Sequence, residues 1–211
     1  MKPRVVVLGA SGHAKVVLEI LEEMGNFEII GCTTAAAASH EILRYPVLGG
    51  DDILPALFAS GTSHAFVAVG DNRIRQKVIR RIRDLGFTLV SAVSRSALVS
   101  PRARLGEGVA VMPRATINVD SLVDDGAIIN TGATVDHDCI VGECAHIAPG
   151  VNLAGNVKVG QGAFLGIGSC AIPGVAIGAW AMVGAGAAVL GDLPDGVTAV
   201  GVPARVLRTN K

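Results

Sequence analysis

The segment Val135-Asp136-His137-Asp138-Cys139 places one imidazole between two carboxylates. Such a pairing suits proton removal. Imidazole titrates near neutrality, and a carboxylate on its other ring nitrogen fixes the tautomer and raises its basicity. His137 and Asp138 are therefore the candidate catalytic residues, His137 as general base and Asp138 as its orienting partner. A second histidine follows in Cys144-Ala145-His146-Ile147. The stretch also spells His137-x-Cys139-x4-Cys144-x-His146, four residue types that ligate zinc. It lacks a CxxC or HxxxH pair, and Cys139 falls on the inward side of the repeat described below. Cys144 falls at a turn, so no metal site is expected. Neither Ser nor Cys stands in a recognisable nucleophile motif, so a covalent enzyme intermediate has no obvious carrier.

The N-terminal half offers a different kind of chemistry. Gly9-Ala10-Ser11-Gly12-His13-Ala14-Lys15 follows the apolar run Val5–Leu8 and precedes residues with helical spacing. A strand-to-helix turn of this kind cradles a pyrophosphate on backbone N–H groups and the helix dipole. Glycine is missing from the middle and last positions of GxGxxG, so an NAD site is not expected. A second loop, Gly70-Asp71-Asn72-Arg73, stands at the end of another predicted strand. Both loops belong at the carboxyl edge of a parallel sheet, where such folds bind ligands.

Two kinds of element must hold these groups. Residues 4–90 alternate strand-like and helix-like runs: strands at 5–8, 27–31, 65–69 and 87–90, and helices at 13–24, 51–59 and 72–85. That alternation predicts a small Rossmann-like α/β domain with a parallel sheet, over residues 1–90. From residue 91 the period becomes six. Fifteen of the sixteen residues read at steps of six from Val99 to Val189 are Val, Ile or Leu, Ala171 being the exception. The residues two before each, from Ala103 on, are all small. Three after, Gly108, Asp120, Gly126, Gly132, Gly150, Asn156, Gly162 and Gly168 recur. Six fits neither a helix nor an isolated strand. It fits a prism of short parallel strands, three sides per coil, with the aliphatic inside and Gly, Asn or Asp at strained turns. The prism is expected over 91–190, with a tail at 191–211. His137 and His146 are off the inward series, so both are expected on the outer face, exposed in a lone chain.

Composition narrows the partners. Lys plus Arg and Asp plus Glu balance at 18 each, which gives no field for nucleic acid or an acidic membrane. The run Val5–Leu8 is short for a signal-peptide core, and no membrane span is expected. A cytoplasmic location is expected. The four cysteines are too sparse for a disulfide framework.

The six-residue repeat resembles that of the left-handed β-helix acyltransferases. With GASGHAK at 9–15, PVLGG at 46–50, VGDNRIR at 69–75 and INTGATVDHDC at 129–139, the chain is similar to bacterial nucleotide-sugar N-acetyltransferases related to sialic-acid O-acetyltransferases. AHIAPGVNLAGNVKVG at 145–160, FLGIGS at 164–169 and VGVPAR at 200–205 extend the likeness to nearly the full length. The resemblance implies a left-handed β-helix, a homotrimer, and acetyl-CoA as co-substrate in a groove between neighbouring prisms, with no permanent cofactor. It implies acetylation of the 4-amino group of a nucleotide-linked 4-amino-4,6-dideoxy sugar for surface polysaccharide or glycan synthesis. It assigns His137 as base, with Asp138 at the acidic partner position and Asn130 near the acceptor sugar. His146 falls at the acyl end of CoA, and Gly155, Ile167 and Ala185 fall along the CoA groove. Ser11, Gly12, His13, Gly70 and Asp71 match the nucleotide-sugar loops. Where the family often has two aspartates that read the base, this chain has Thr33-Thr34, followed by Ala35. That departure leaves UDP, GDP and dTDP open. O-acetylation of a sugar, or a non-catalytic β-helix scaffold, are the alternative readings.

Overall fold

Val5, Val6, Val7 and Leu8 are consecutive, apolar and at most 1% exposed, as a strand covered on both faces requires. In the computed structural model, which describes residues 1–34 and 41–209, they form most of β1 (Arg4–Leu8). The chain divides into two compact units between Val93 and Ser94.

In the first unit, β1 is central in a six-stranded sheet. Its companions are β2 (Glu28–Thr33), β3 (Glu41–Ile42), β4 (Tyr45–Gly49), β5 (His64–Val67) and β6 (Thr88–Leu89), in the order β3-β4-β2-β1-β5-β6. All pairs are parallel except β3 with β4. Helix α1 (Gly12–Met24) buries Ala14, Val17, Leu18, Ile20 and Leu21 and ends at Gly25, whose φ of 70° is the left-handed cap glycine favours. The segment 51–59 opens as a 3-10 turn, Asp51–Ile53, before α2 (Leu54–Ala59). Helix α3 (Asn72–Asp84) starts at Asp71, whose carboxylate accepts the Ile74 N–H. The chain moves from β1 to β2 on one side and later to β5 on the other. The order therefore reverses beside β1, which is where open α/β sheets form their ligand crevice.

The second unit contains sixteen two-residue strands, β8 (Leu98–Val99) through β23 (Ala188–Val189). Each strand pairs with the third strand before or after it, as in Thr116↔Thr134 and Thr134↔Asn152. Three strands therefore make one coil, and three sheets make the prism. The predicted aliphatic series points inward, and from Val111 to Val189 every member is buried. The eight Gly, Asp and Asn residues expected at turns have φ between 59° and 67°. Arg114, Asp138, Cys144 and Trp180 take the same left-handed conformation, which most L-residues avoid at a cost of roughly 1–2 kcal/mol. The fold is thus an α/β domain followed by a left-handed parallel β-helix.

Residues 191–209 do not stand apart as the expected tail. Leu193 bridges to Ile177, and β24 (Val197–Val200) pairs in parallel with β22 (Met182–Val183). The register there is Met182↔Thr198, a shorter step than the full coil from Phe164 to Met182. The six-residue phase is lost at that point although the coil continues. Strand β25 (Arg205–Thr209) then turns back antiparallel to β24.

Candidate active site

His137 stands at the corner between β14 (Thr134–Val135) and β15 (Ile140–Val141). Its backbone is fixed from several sides. The Asp136 carboxylate accepts the His137 N–H at 2.8 Å and the Asn118 amide at 2.8 Å. Ser121 Oγ donates to the Asp136 carbonyl at 2.6 Å and accepts the Cys139 N–H at 3.1 Å. The Asp138 N–H donates to the Val119 carbonyl of the preceding coil. Asp138 itself supplies the left-handed turn, with φ 58°.

From that turn the two side chains meet, His137 Nδ1 lying 2.8 Å from Asp138 Oδ2. A carboxylate only accepts, so Nδ1 carries the proton and Nε2 presents its lone pair. The Asp138 hydrogen bond raises the His137 pKa above its ordinary value, and the charges of Asp136 and Asp138 add to it. The Asn118 and His137 hydrogen bonds hold the Asp136 carboxyl below the usual carboxylate range. The pair is open to solvent, with side chains 55% and 59% exposed. Gly155, one coil on, lies against the imidazole. Cys139 points the other way: it is buried, and its thiol donates to the Ala154 carbonyl at 3.2 Å.

His146 departs from expectation. It does project outward from its strand, but it is only 9% exposed. Its ring meets Phe164, the stacked position one coil on, edge to face at 5.2 Å. Its Nε2 is 3.0 Å from the Asn130 side-chain amide nitrogen. Asn130 and His146 are thus brought together. Below them on the same face, Phe164, Ile167, Met182, Ala185 and Thr198 line an open apolar hollow of about 240 Å³. Ile167 is 62% exposed there. His137 lies at the corner between two of the prism's sheets, and His146 lies on the third. They therefore sit on opposite sides of the prism, and a single chain does not bring the base to the hollow.

The two loops expected to take the nucleotide sugar both lie in the first unit. Gly9 (φ 122°) lets β1 close on β5: a Cβ there would lie 2.5 Å from the Ala68 carbonyl oxygen. Ser11 is exposed and makes no capping hydrogen bond to α1, and Gly12 is exposed beside it. Gly70 and Asp71 are exposed across the switch point, with Asp71 also capping α3. Beneath them Arg75, 1% exposed, donates to the carbonyls of Val69 and Gly70 and to Asn72 Oδ1. His13 is half-buried, and its Nε2 has no hydrogen-bond partner. Burial and the nearby Arg75 charge lower its pKa to about 4, so the ring is neutral at pH 7.

Thr33 requires a correction. Its side chain is fully buried and its hydroxyl donates to Asp51 Oδ1 at 2.6 Å, so it cannot also read a base. Thr34 is half-buried beside it, and Ala35 lies outside the described residues. The carboxylate at the end of β2 is therefore Asp51, delivered from the loop after β4.

The family model for the PglD N-terminal domain matches residues 4–82. PerB from Caulobacter crescentus, solved in complex with CoA and GDP-perosamine, is 53% identical to this chain, with a TM-score of 0.92 over 96% of each. The chain belongs to the nucleotide-sugar N-acetyltransferase family. A second member, the acetyltransferase domain of PglB from Neisseria gonorrhoeae FA1090, is 36% identical with a TM-score of 0.92, over 98% of this chain and 100% of that one. It has also been solved with acetyl coenzyme A. WeeI from Acinetobacter baumannii AYE shares the fold at 23% identity and a TM-score of 0.75.

Within this N-acetyltransferase framework, sequence reasoning missed Phe164, Asp51, Arg75 and the Asn118–Asp136 pair. Phe164 and Asn118 were open to discovery by counting one full coil from His146 and Asp136. Arg75 closes the segment VGDNRIR, but as one of several basic residues in a helix it reads as solvated, and its burial was not visible.

Proposed function

We propose that the protein transfers the acetyl group of acetyl-CoA to the 4-amino group of a nucleotide-linked 4-amino-4,6-dideoxy sugar. GDP is the first nucleotide to test, because the PerB structure at 53% identity holds GDP-perosamine. The single observation that carries the chemistry is the 2.8 Å contact between His137 Nδ1 and Asp138 Oδ2, which leaves Nε2 as proton acceptor. The neutral amine attacks the thioester carbonyl and its proton passes to Nε2. The tetrahedral intermediate then collapses with cleavage of the C–S bond, and the imidazolium returns the proton to the departing thiolate. Backbone N–H groups beside glycine are suited to hold the oxyanion.

The N-terminal loops, with Ser11, Gly12, His13, Gly70 and Asp71, take the nucleotide sugar, and Thr34 with Asp51 faces the base. Asn130 orients the acceptor sugar. His146, Gly155, Ile167 and Ala185 line the path of acetyl-CoA. Because His137 and the Asn130–His146 face are half a coil apart, the reading requires two chains per site. A cyclic homotrimer provides three equivalent clefts of that kind. We place the enzyme in the cytoplasm, where both substrates are made, in the assembly of a surface polysaccharide or glycan. The test is an acceptor screen with acetyl-CoA, following thiol release against GDP-, UDP- and dTDP-linked 4-amino sugars and their 4-hydroxy counterparts. Release with an amino sugar alone supports the proposal. Release with the hydroxy sugar alone favours O-acetylation, and release with neither favours a scaffold.

A further inference from the structure

We infer that Gly155 is the seat of the His137 imidazole, a positioning residue that holds the base against Asp138. The turn backbone leaves the ring few choices. Asp136 and Asn118 fix the His137 N–H, Ser121 fixes the Asp136 carbonyl, and Asp138 fixes the turn. What remains free is rotation of an exposed imidazole about its side-chain bonds. Two contacts decide that rotation: the 2.8 Å hydrogen bond to Asp138, and the floor one coil on.

The floor is Gly155, one full coil after His137 and therefore stacked on it. A Cβ at 155 would lie 2.5 Å from His137 Cε1, 2.6 Å from Nε2 and 3.1 Å from Nδ1. No real Cβ approaches that closely, so the ring occupies the space a side chain would fill. The backbone does not ask for glycine at this position. Gly155 lacks the positive φ of the turn glycines, and the three heavy atoms nearest its missing Cβ all belong to His137. Glycines such as Gly142, Gly160 and Gly166 differ, since a Cβ on each would strike the backbone of the next coil. Those serve the coil stacking, whereas Gly155 serves the imidazole.

A methyl group at 155 leaves the main chain allowed and must turn the ring aside, away from Asp138 and from the direction of Nε2. Misplacing a reacting group by about 1 Å costs on the order of 10²-fold in rate. The inference rests on His137 being the base, and the experiment separates the two ideas. Gly155→Ala is assayed by thiol release with acetyl-CoA and the amino-sugar acceptor, and His137 is titrated by NMR in the free enzyme. The expected result is a kcat about 10²-fold lower, together with a His137 pKa moved down from its raised position toward an ordinary imidazole. In the His137→Ala background the same substitution should leave Tm unchanged, because the obstacle is gone. This arm reads out even if the single variant folds poorly. Unchanged kcat and titration overturn the inference, as does a change confined to the KM for acetyl-CoA. A kcat loss without a shift in titration, or a fall in Tm in the His137→Ala background, overturns it too. A His137→Ala enzyme with normal turnover would instead remove the base assignment.

Discussion

Replacing Asp138 by asparagine isolates the carboxylate's electrostatic role from its structural one. Asp138 occupies a left-handed turn with φ 58°. Asparagine is among the few residues enriched there, so the turn survives, whereas alanine would strain it. The charge is what disappears. Asp138 chiefly raises the His137 pKa by accepting the Nδ1 proton at 2.8 Å, so Asp138→Asn should lower that pKa. A base with a lower pKa is deprotonated further into the acid range. The acidic limb of kcat/KM against pH, which reports the free enzyme's base, must then move to lower pH. The plateau falls because the imidazole is a weaker base. The size of the fall follows from exposure: at 55% and 59% exposed, the pair is screened by water and salt. We therefore expect about tenfold, below the about 10²–10⁴-fold that a whole general base provides. The assay is thiol release over a pH series, with His137 followed by NMR because ionisation of the substrate amine overlaps the same limb. An acidic limb that stays in place, or a His137 pKa that rises, would refute the reasoning.

Four further outcomes concern the first unit and the assembly. Thr34→Asp should change the KM for the nucleotide sugar and leave that for acetyl-CoA within about twofold; the same change at buried Thr33 should instead cost stability by placing a charge beside Asp51, about 3 kcal/mol or more in chemical denaturation. His13 binds a proton near 6.5 when unfolded and only near 4 when folded, so stability is fully present above about 6.5 and falls as pH drops toward 4. His13→Asn should flatten that slope, which is worth about 3 kcal/mol at most, and an unchanged urea midpoint between pH 7 and 5 in the parent would contradict the burial argument. Sedimentation at assay concentration should show a trimer, and an active monomer would rule out a site shared between chains.

Much of this was legible from residue types, but unevenly. The prism was readable because six-residue phase persists from Val99 to Val189, and each inward residue repeats the same physical demand. The phase breaks where β24 joins β22 after less than a full coil, which is why the last strands read as a tail. The contact between His137 and Asp138 was readable because the two are adjacent, and a left-handed turn points both side chains outward together. The surroundings of His146 were readable only by counting one full coil on to Phe164, which covers the outward imidazole. Thr33 misled for a similar reason: its hydroxyl is satisfied by Asp51, from the loop after a strand that neighbours β2 in space. A seat such as Gly155 does not stand out in the sequence, since glycine is common throughout this chain.

The central claim is that His137 removes the acceptor's proton, and His137→Ala tests it most directly. The measurement is the rate of CoA release from acetyl-CoA with a GDP-linked 4-amino-4,6-dideoxy sugar, alongside the melting temperature and acetyl-CoA affinity of the variant. The side chain is exposed and lies outside the prism core, so melting temperature and affinity should hold. Turnover should fall by about 10²–10⁴-fold. A folded His137→Ala enzyme with near-normal turnover would contradict the mechanism and pass the role to His146 or to solvent.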